Sequence, residues 1–249
     1  MTSILTARKL CWDKFRRNLV IDKGVILWDV DGTLISTRRY SNISLHQKAL
    51  EDCGFGFIEA NFETQGVTDW EIISRLLSRI KYIAKENELA IVIEKLDALS
   101  AESDKISSFV PMPGVSNFLK NFKSKFWIQG ILTGNTSNRT LAKLKHASIG
   151  NYFNQDYIFC CEFNEKRIDI ARRAEKYIVS QRLKTTAIVG DTPYDVAVAK
   201  EINAKSISVA TGKFSRHDLK THNPDLLIRN FKFSSKKVYN FLKMVEVTI

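Results

Sequence analysis

The sequence predicts an α/β fold, in which a doubly wound parallel sheet carries an inserted helical subdomain. Short apolar runs, most of them apolar on both faces, alternate with stretches whose apolar residues recur at helical spacing. Strands that are apolar on both faces are typical of a parallel sheet covered by helices. One interval of about 75 residues breaks the alternation, because it has helical periodicity and no convincing strand.

The alternation predicts repeated strand and helix units. The predicted strands are the apolar runs, in chain order VILWDV, WIQGILTG, DYIFCC, TTAIVGD, SISVA and DLLIRN. The predicted helices are the amphipathic stretches GVSNFLKNF, NRTLAKLKHA, RIDIARRAEKYIVSQR and YDVAVAKEINA. A strand, a helix and a further parallel strand form one βαβ unit, and repetition of this unit builds a doubly wound sheet.

The interrupted alternation also predicts the domain boundaries. Residues 1–23 form an N-terminal extension, residues 24–37 and 110–249 form the α/β core, and residues 38–109 form the helical subdomain. The sequence PMPG marks the return into the core, because a residue before proline is extended and stops a helix. The extension has an aromatic stripe among basic residues, which favours a helix packed on the domain. A transit peptide or a membrane-surface helix is the alternative.

Composition limits the class of protein. The chain has 249 residues and is 44% hydrophobic. No apolar run approaches the roughly 20 residues that cross a bilayer, and charges interrupt the N-terminus where a signal peptide needs an apolar block. The four cysteines form no CxxC pair and are expected to be reduced thiols. The expected location is therefore the cytoplasm.

The formal net charge of +11 raises the local concentration of anionic ligands. It is compatible with small phosphorylated molecules and also with nucleic acid. The basic residues are spread along the chain in short clusters, not in one long block with interleaved aromatics. A solvated basic surface is therefore the simpler interpretation, and nothing in the sequence indicates an oligomeric state.

Polar residues follow the first predicted strand at once, in the sequence VILWDVDGT. Asp29 and Asp31 lie on the same face of an extended strand, where their like charges repel unless a cation lies between them. Two further strands end in the clusters LTGNT and GDTPYD. Ligands bind at the carboxyl ends of the strands in open α/β sheets, so these three clusters are expected at one edge.

Aspartates whose oxygens face one point form a site for a hard cation. Mg²⁺ suits such a site, because it takes a few carboxylates and keeps its other positions for water and a phosphate oxygen. The predicted metal ligands are Asp29, Asp31, Asp191 and Asp195. The metal would hold Asp29 ionised as a nucleophile aimed at phosphorus. Asp31 is then placed to protonate the leaving oxygen and later to take a proton from water.

The motifs DVDGT, LTGNT and GDTPYD, in this order, resemble the signatures of the haloacid dehalogenase superfamily of phosphohydrolases. The resemblance is to the phosphoglycolate-phosphatase-like members, which have a helical cap inserted after the first motif. It spans most of residues 25–230. The resemblance implies a Rossmann-like core, a helical cap and phosphatase activity.

The resemblance also implies a role for individual residues. Asp29 matches the nucleophile that forms an aspartyl-phosphate, and Asp31 matches the general acid and base, whose backbone carbonyl also ligates magnesium. Thr133 matches the phosphate-binding hydroxyl, Asp191 matches the metal-binding carboxylate, and Asp195 matches its supporting acid. The neighbouring residues expected to contact the phosphate are Gly32, Thr33, Gly134 and Asn135.

The family's remaining catalytic group is a cation, usually a lysine followed by proline before a helix, which neutralises the transferring phosphoryl group. This sequence has no Lys-Pro there. The stretch FNEKRIDIARRAEKY offers Lys166 or Arg167 at the head of a helix, and the spacing to the apolar face slightly favours Arg167. An arginine could do the electrostatic work with a bidentate grip.

Some of these residues also have a purely structural interpretation. In GVTDWE, Thr68 and Asp69 match a Gly-x-Thr-Asp of relatives that faces the active site, yet Thr68 and Glu71 also fit a capping box. Asp195 fits the third position of a helix that begins after a threonine cap. Gly212 follows another strand and is expected to shape the edge of the pocket.

The leading hypothesis is a magnesium-dependent phosphomonoester hydrolase that acts on a small phosphorylated metabolite. A phosphomutase of the same superfamily would share Asp29 and Asp31, so it stays open. A catalytically silent domain that binds a partner or a nucleic-acid end through its basic surface is a third hypothesis. The occupation of every catalytic position counts against it.

Overall fold

The computed structural model describes residues 24–37, 42–102, 109–122 and 127–247. The predicted extension, residues 1–23, lies outside the described residues. The strands are β1 (Gly24–Trp28), β2 (Ile35–Thr37), β3 (Phe109–Pro111), β4 (Trp127–Leu132), β5 (Ile158–Phe159), β6 (Lys184–Gly190), β7 (Lys205–Val209) and β8 (Leu226–Ile228). The α-helices are α1 (Asn42–Asp52), α2 (Asp69–Arg79), α3 (Glu86–Ala101), α4 (Val115–Asn121), α5 (Ser137–His146), α6 (Arg167–Ser180), α7 (Pro193–Glu201), α8 (Arg216–Thr221) and α9 (Phe231–Val247).

Six of the strands form a parallel sheet in the order β5-β4-β1-β6-β7-β8. These are the six strands that the apolar runs predict, and helices connect most of them. The chain first adds strands on one side of β1 and then crosses to the other side. This reversal defines a doubly wound sheet and places β1 beside the point where ligands bind in such folds. The predicted fold class is confirmed.

The central strand β1 explains why its sequence is apolar without interruption. All five of its residues are buried, and alternate side chains point to opposite faces of the sheet. Ile26 and Trp28 belong to one hydrophobic cluster, whereas Val25 and Leu27 belong to a second cluster on the other face. Helices cover both faces, so no position of β1 needs a polar side chain until the strand ends.

The interval after the first strand is helical, as its periodicity predicts. Residues 42–102 contain α1, α2 and α3 and no strand. Their apolar residues, including Ile73, Leu76 and Leu96, are buried in one cluster. The strands β2 and β3 pair antiparallel on either side of this interval, with Ile35 opposite Pro111. Segments 38–41 and 103–108 lie outside the described residues, so the domain boundaries at 38 and 109 stay a prediction.

Of the two capping boxes that the sequence suggests at helix starts, one forms fully and the other only in part. At α7, Thr192 and Asp195 form the expected capping box, with Pro193 as the first helical residue. At α2, the Thr68 side chain accepts a hydrogen bond from the Glu71 amide, 3.3 Å away. The second bond of the expected capping box, from the Thr68 amide to the Glu71 carboxylate, does not form, and this carboxylate accepts a hydrogen bond from Arg75 one turn later.

Two further expectations concern the chain as a whole. No described helix is long and apolar enough to span a membrane. Cys53, Cys160 and Cys161 are free thiols, and burial raises the pKa of Cys160 to about 11. Cys11 lies outside the described residues.

Candidate active site

The residues that follow β1, β4 and β6 meet at one edge of the sheet, as predicted. Asp29 follows β1 directly, and its amide donates to the carbonyl of Val189 in β6. The carboxylates of Asp29, Asp191 and Asp195 offer oxygens that all lie within 4.8 Å of one another. These three residues are buried, with 4%, 1% and 3% of their surface exposed. The structure thus brings three acids together where the sequence places the metal site.

Two glycines, Gly32 and Gly212, leave room for the Asp191 carboxylate. Gly32 has a φ of +82°, and a Cβ atom on it would lie 2.4 Å from Asp191 Oδ2. A Cβ atom on Gly212 would lie 1.7 Å from the same oxygen. The Thr33 hydroxyl donates to Asp191 Oδ1 at 2.9 Å. Thr211 holds this arrangement, since its hydroxyl donates to the carbonyl of Gly32 at 2.6 Å.

The three acids of this cluster have only one cation in direct contact among the described residues, Arg167. Burial is the largest influence on Asp29, and together with the charges of Asp195 and Asp31 it outweighs the opposing effect of Arg167, so the pKa is raised from 3.8 to about 7. Burial and the charges of Asp29 and Asp195 likewise raise the pKa of Asp191 well above its usual range. Buried carboxylates at such short distances need a cation to stay ionised. Their hard oxygen donors and close grouping fit a divalent cation.

Of the two candidate cations at the start of α6, the structure brings only Arg167 to the acids. Its Nη2 donates to Asp29 Oδ1 at 2.7 Å and to Asp195 Oδ1 at 2.5 Å. Lys166 is the exposed N-cap residue of α6, and its amide donates to Asp169 at 3.1 Å. Asp195 therefore has two roles, because it caps α7 and also pairs with Arg167.

The Asp31 side chain turns away from the three clustered carboxylates. Both of its oxygens accept hydrogen bonds from Lys143 Nζ, at 2.7 and 2.6 Å, and Oδ2 also accepts from Asn135 Nδ2 at 2.6 Å. The Asp31 carboxylate therefore lies outside the cluster of three acids, and its expected metal ligand stays the backbone carbonyl that the family resemblance implies. Burial raises the pKa of Asp31, but the charges of Lys143 and Arg139 outweigh it and lower the pKa below its usual range.

Lys143 is completely buried beside this carboxylate. Burial and the neighbouring Arg139 lower the pKa of Lys143 to about 8, against the opposing charge of Asp31. The ammonium also donates to Asn135 Oδ1 at 2.9 Å. Asn135 thus links the acid and the amine.

The cluster after β4 is held by bonds within itself and by the helical interval. Asn135 Nδ2 donates to the Thr133 hydroxyl at 2.8 Å. The Gly134 carbonyl accepts from the Asp69 amide at 2.9 Å. A Cβ atom on Gly134 would lie 2.9 Å from the carbonyl oxygen of Val67, so only glycine fits where these two segments meet.

Asp69 organises this meeting point. Its carboxylate accepts from Arg139 Nη1 and from the Thr136 amide at 2.9 Å, and His46 Nε2 lies 2.8 Å away. Burial raises the pKa of Asp69, but the charges and hydrogen bonds of Arg139 and His46 hold it far below its usual range. Thr68 acts as a helix cap, and its hydroxyl donates to the carbonyl of Glu165 at 3.0 Å.

A cavity of about 70 Å³ opens between these groups. It is lined by residues of the sheet edge and of the helical interval, namely Asp29, Asp31, Ile43, His46, Thr64, Gln65, Gly66, Val67, Asp69, Ile72, Thr133, Gly134, Asn135, Arg139, Arg167 and Thr192. Asp191 and Asp195 adjoin Asp29 but do not line the cavity. The cavity therefore opens on the carboxylate of Asp29.

Sequence reasoning missed Lys143, Arg139 and His46. A signal exists for two of them, because Asn135, Arg139 and Lys143 are spaced four residues apart along α5 and the turn before it. Residues four apart lie on one face of a helix. A helix that starts at the edge of the sheet therefore directs this face toward the same site. His46 has no such signal, since it comes from α1 and meets Asp69 only through the fold.

This fold and site are those of an α/β enzyme built around a cluster of buried carboxylates. The chain belongs to the haloacid dehalogenase-like hydrolase family, which matches residues 26–209. No curated protein matches the sequence.

Solved structures share the fold over most of the chain. A predicted phosphoglycolate phosphatase from Haemophilus somnus 129PT has 16% sequence identity and a TM-score of 0.63, over 89% of this chain and 99% of that chain. A predicted phosphatase from Clostridium acetobutylicum has 20% identity and a TM-score of 0.63, over 88% and 99%. A proposed β-phosphoglucomutase from Bacteroides vulgatus has 20% identity and a TM-score of 0.65, over 90% of each chain.

Proposed function

We propose that the chain is a magnesium-dependent phosphatase, which hydrolyses a small phosphate monoester through an aspartyl-phosphate on Asp29. The observation that carries this proposal is the position of Asp29 in the lining of the cavity. Its carboxylate accepts a hydrogen bond from Arg167 and lies close to the carboxylates of Asp191 and Asp195. A buried carboxylate in this setting is a nucleophile that needs a cation to stay charged.

The first step is attack by an Asp29 carboxylate oxygen on phosphorus. A new P–O bond to Asp29 forms while the P–O bond to the substrate alcohol breaks, and the alcohol oxygen takes a proton from Asp31. In the second step water attacks the same phosphorus and gives a proton to Asp31. The bond to Asp29 breaks, and inorganic phosphate leaves.

Asp31 must change its protonation state between these steps. The ionised form, which Lys143 and Asn135 favour, is ready to accept the proton of the attacking water. The acid form needs a proton before the first step. The proton that Asp31 takes from the attacking water restores this acid form for the next turnover, while Lys143 Nζ, at 2.6 Å from Asp31 Oδ2, stabilises the ionised form in between.

The charges of the phosphoryl group need compensation. Arg167, Thr133 and the residues around Gly134 line the cavity and are proposed to bind its oxygens. Asp29, Asp191 and Asp195 would hold Mg²⁺, with the backbone of Asp31 as the further ligand that the family resemblance implies. A bound Mg²⁺ offsets carboxylate repulsion and polarises a phosphoryl oxygen.

Cavity size supports a small substrate. One water needs about 10–15 Å³ of such volume, so about 70 Å³ takes roughly five atoms of that size. A phosphate group alone accounts for about this volume, which favours a small substrate over a polynucleotide. The proposed partner is therefore a small phosphorylated metabolite, and the free thiols support the cytoplasm as the proposed location.

The test measures inorganic phosphate released from a panel of short phosphate esters, with Mg²⁺ and with EDTA. The natural sequence is compared with Asp29→Asn, which keeps the size of the side chain and removes the nucleophile. We expect metal-dependent release that disappears in the variant while its circular dichroism spectrum is retained. Equal rates in both proteins would refute the mechanism. Isomerisation of a sugar phosphate without release would indicate a mutase instead.

A further inference from the structure

The net positive charge of the chain is concentrated at its two ends. Residues 24–199 include 22 basic and 21 acidic residues, so their charges nearly balance. Residues 1–23 include six basic and two acidic residues, and residues 200–249 include ten and four. Almost all of the net charge of +11 therefore belongs to these two segments. Such an uneven distribution raises the concentration of anions near the basic segments.

Helix α9 carries much of this charge on its outer face. Its inner face packs on the core through Phe231, Val238 and Leu242, which are buried. The exposed lysines of the helix are Lys232, Lys236, Lys237 and Lys243. Within the described residues, the ion pairs of lysine all involve other lysines, so no carboxylate there neutralises these four charges.

A groove of about 780 Å³ continues this basic face toward the neighbouring helix. It lies between α8, β8 and α9, and the cations that line it are Arg216, Lys220 and Lys237. Asp225, the one acid among its described lining residues, already pairs with Lys205 at 2.8 Å. The groove therefore offers three cations to an anionic ligand.

Exposed aromatic rings accompany these cations. Phe233 is 71% exposed, and Lys232 Nζ lies 5.4 Å from the centroid of its ring. Tyr239 is 38% exposed, and Lys243 Nζ lies 4.8 Å from its ring centroid. Phe233 and Lys237 are four residues apart, so they share one stripe of α9, and Lys237 also lines the groove. An exposed ring beside a cationic groove gives a nucleic-acid base a surface on which to stack.

The N-terminal extension joins the domain beside the same face. Gly24, where β1 begins, pairs with Trp127 in β4. Trp127 stacks on Phe122 at a centroid distance of 5.4 Å, and Phe122 meets Tyr239 of α9 at 6.3 Å. The chain thus connects two segments of like charge at one place, where an anion between them would relieve their repulsion.

The shape of the surface favours a strand over a membrane. A groove can follow the phosphate backbone of a single strand while the bases stack on neighbouring rings. An anionic bilayer is bound instead by a helix that turns a continuous apolar face to the lipid. The continuous apolar face of α9 packs on the core and is not available to lipid.

We propose that the groove between α8 and α9, together with the lysine face of α9, binds single-stranded nucleic acid. Arg216, Lys220 and Lys237 bind backbone phosphates, and Phe233 stacks on a base. The described lining of the groove shares no residue with the active-site cavity, so this inference does not rest on the proposed phosphatase function. The strand is a ligand of this surface and not a substrate.

Fluorescence anisotropy of the full chain with an oligothymidylate of about 12 nucleotides measures this binding, because grooves of this kind bind strands of roughly this length. The oligonucleotide has no phosphate monoester end, so the proposed phosphatase does not act on it. Each phosphate contact contributes about −0.7 to the slope of log K against log salt concentration. Three contacts predict a slope of about −2 or steeper, and a slope near zero would contradict the proposal.

A triple variant tests the cations of the groove. Arg216→Gln, Lys220→Gln and Lys237→Gln together should make the slope shallower by about 2 and raise Kd about tenfold or more. The matched control is the triple variant Lys81→Gln, Lys145→Gln and Lys176→Gln, which removes the same charge from exposed positions elsewhere. The control should change Kd about threefold at most. Circular dichroism checks that both variants fold.

Phe233→Ala tests the stacking platform separately. Loss of one base–aromatic contact should raise Kd about fivefold or more. Ile83→Ala is the matched control, since Ile83 is 94% exposed and lies in the helical interval, and it should leave Kd unchanged. Equal Kd values for the two variants would contradict the proposed contact of Phe233.

Three further outcomes would overturn the proposal. They are no binding of the oligonucleotide by the folded chain at low salt, an equal rise of Kd in both triple variants, and sedimentation of the chain with phosphatidylserine vesicles without binding of the oligonucleotide. The last outcome would assign this face to a membrane. Phosphate release from small esters is measured independently, so failure of the phosphatase proposal would be distinguished from failure of this one.

Discussion

Arg167 occupies the position in which most family members are expected to have a lysine before a proline. The guanidinium reaches Asp29 and Asp195 with one nitrogen, whereas a lysine would place a single compact charge there. Burial opposes the charge of Arg167, but Asp29 and Asp195 outweigh it and raise its pKa further. This side chain is therefore a permanent cation, and it cannot take part in proton transfer.

Replacement of the two adjacent cations should have very different effects. Arg167→Ala removes the charge beside Asp29, and we expect kcat to fall about 10²–10³-fold, the size of effect seen when one electrostatic contact to a transition state is lost. Lys166→Ala removes an exposed side chain and should change kcat by about twofold at most. Steady-state kinetics with one ester measures both. Equal losses would show that Arg167 has no special role.

At the scale of elements, the turns after β1 and β7 fix the geometry of the acids. Gly32 follows β1, and Gly212 follows β7 two strands away, yet both approach the same carboxylate oxygen of Asp191. The helix α5 has a comparable role on the other side, because one face of it brings Arg139 and Lys143 to Asp69 and Asp31. Elements far apart in the chain thus confine each charged group.

Gly212→Ala should weaken metal binding. The added Cβ atom would lie 1.7 Å from Asp191 Oδ2, so this carboxylate would have to move. We expect the Mg²⁺ concentration that gives half-maximal activity to rise about tenfold or more, since a metal ligand displaced from its position loses affinity on this scale. The matched control is Gly150→Ala, where the nearest atom would be 3.6 Å away. The same Mg²⁺ dependence in both variants would contradict the proposed role of Asp191.

At the scale of the whole molecule, the acidic cluster links metal binding, pH and stability. The pKa of Asp29 rises from 3.8 to about 7 on folding, so the folded metal-free protein binds more protons than the unfolded chain between these values. The stability that Asp29 contributes to the metal-free protein is fully present below this pH window and is lost as the pH rises through it. A divalent cation opposes this loss of stability at higher pH, because it favours the ionised carboxylates.

Thermal unfolding should reveal this linkage. In EDTA we expect the Tm at about pH 7.5 to be several degrees below that at about pH 5.5, since about 1 kcal/mol shifts Tm by roughly 2–4 °C in a chain of this size. Mg²⁺ should raise Tm more at the higher pH. The variant Asp29→Asn should show a smaller pH dependence in EDTA. An equal effect of Mg²⁺ at both pH values would show that Asp29 does not titrate in this range.

The sequence by itself determined the fold class and most of the acids at its functional edge. Apolar runs without polar interruption require burial on both faces, and the residues that follow parallel strands must meet at one edge, so Asp29, Thr133 and Asp191 could be located from local pattern alone. The prediction of α7 rested on equally local rules, because a helix cap involves residues only three positions apart.

Only the tertiary structure decided which charges meet. Lys166 and Arg167 are adjacent, and successive residues of a helix are rotated by about 100° around its axis. One of the two can therefore face solvent while the other faces the active site, and the sequence pattern alone did not decide which. Asp31 turns toward Lys143, and His46 reaches Asp69, through contacts between distant segments. Within the described residues, packing likewise decides that Gln65 Oε1 and Arg139 Nη2 are buried without a hydrogen-bond partner. Such contacts depend on how helices dock, which the local sequence does not specify.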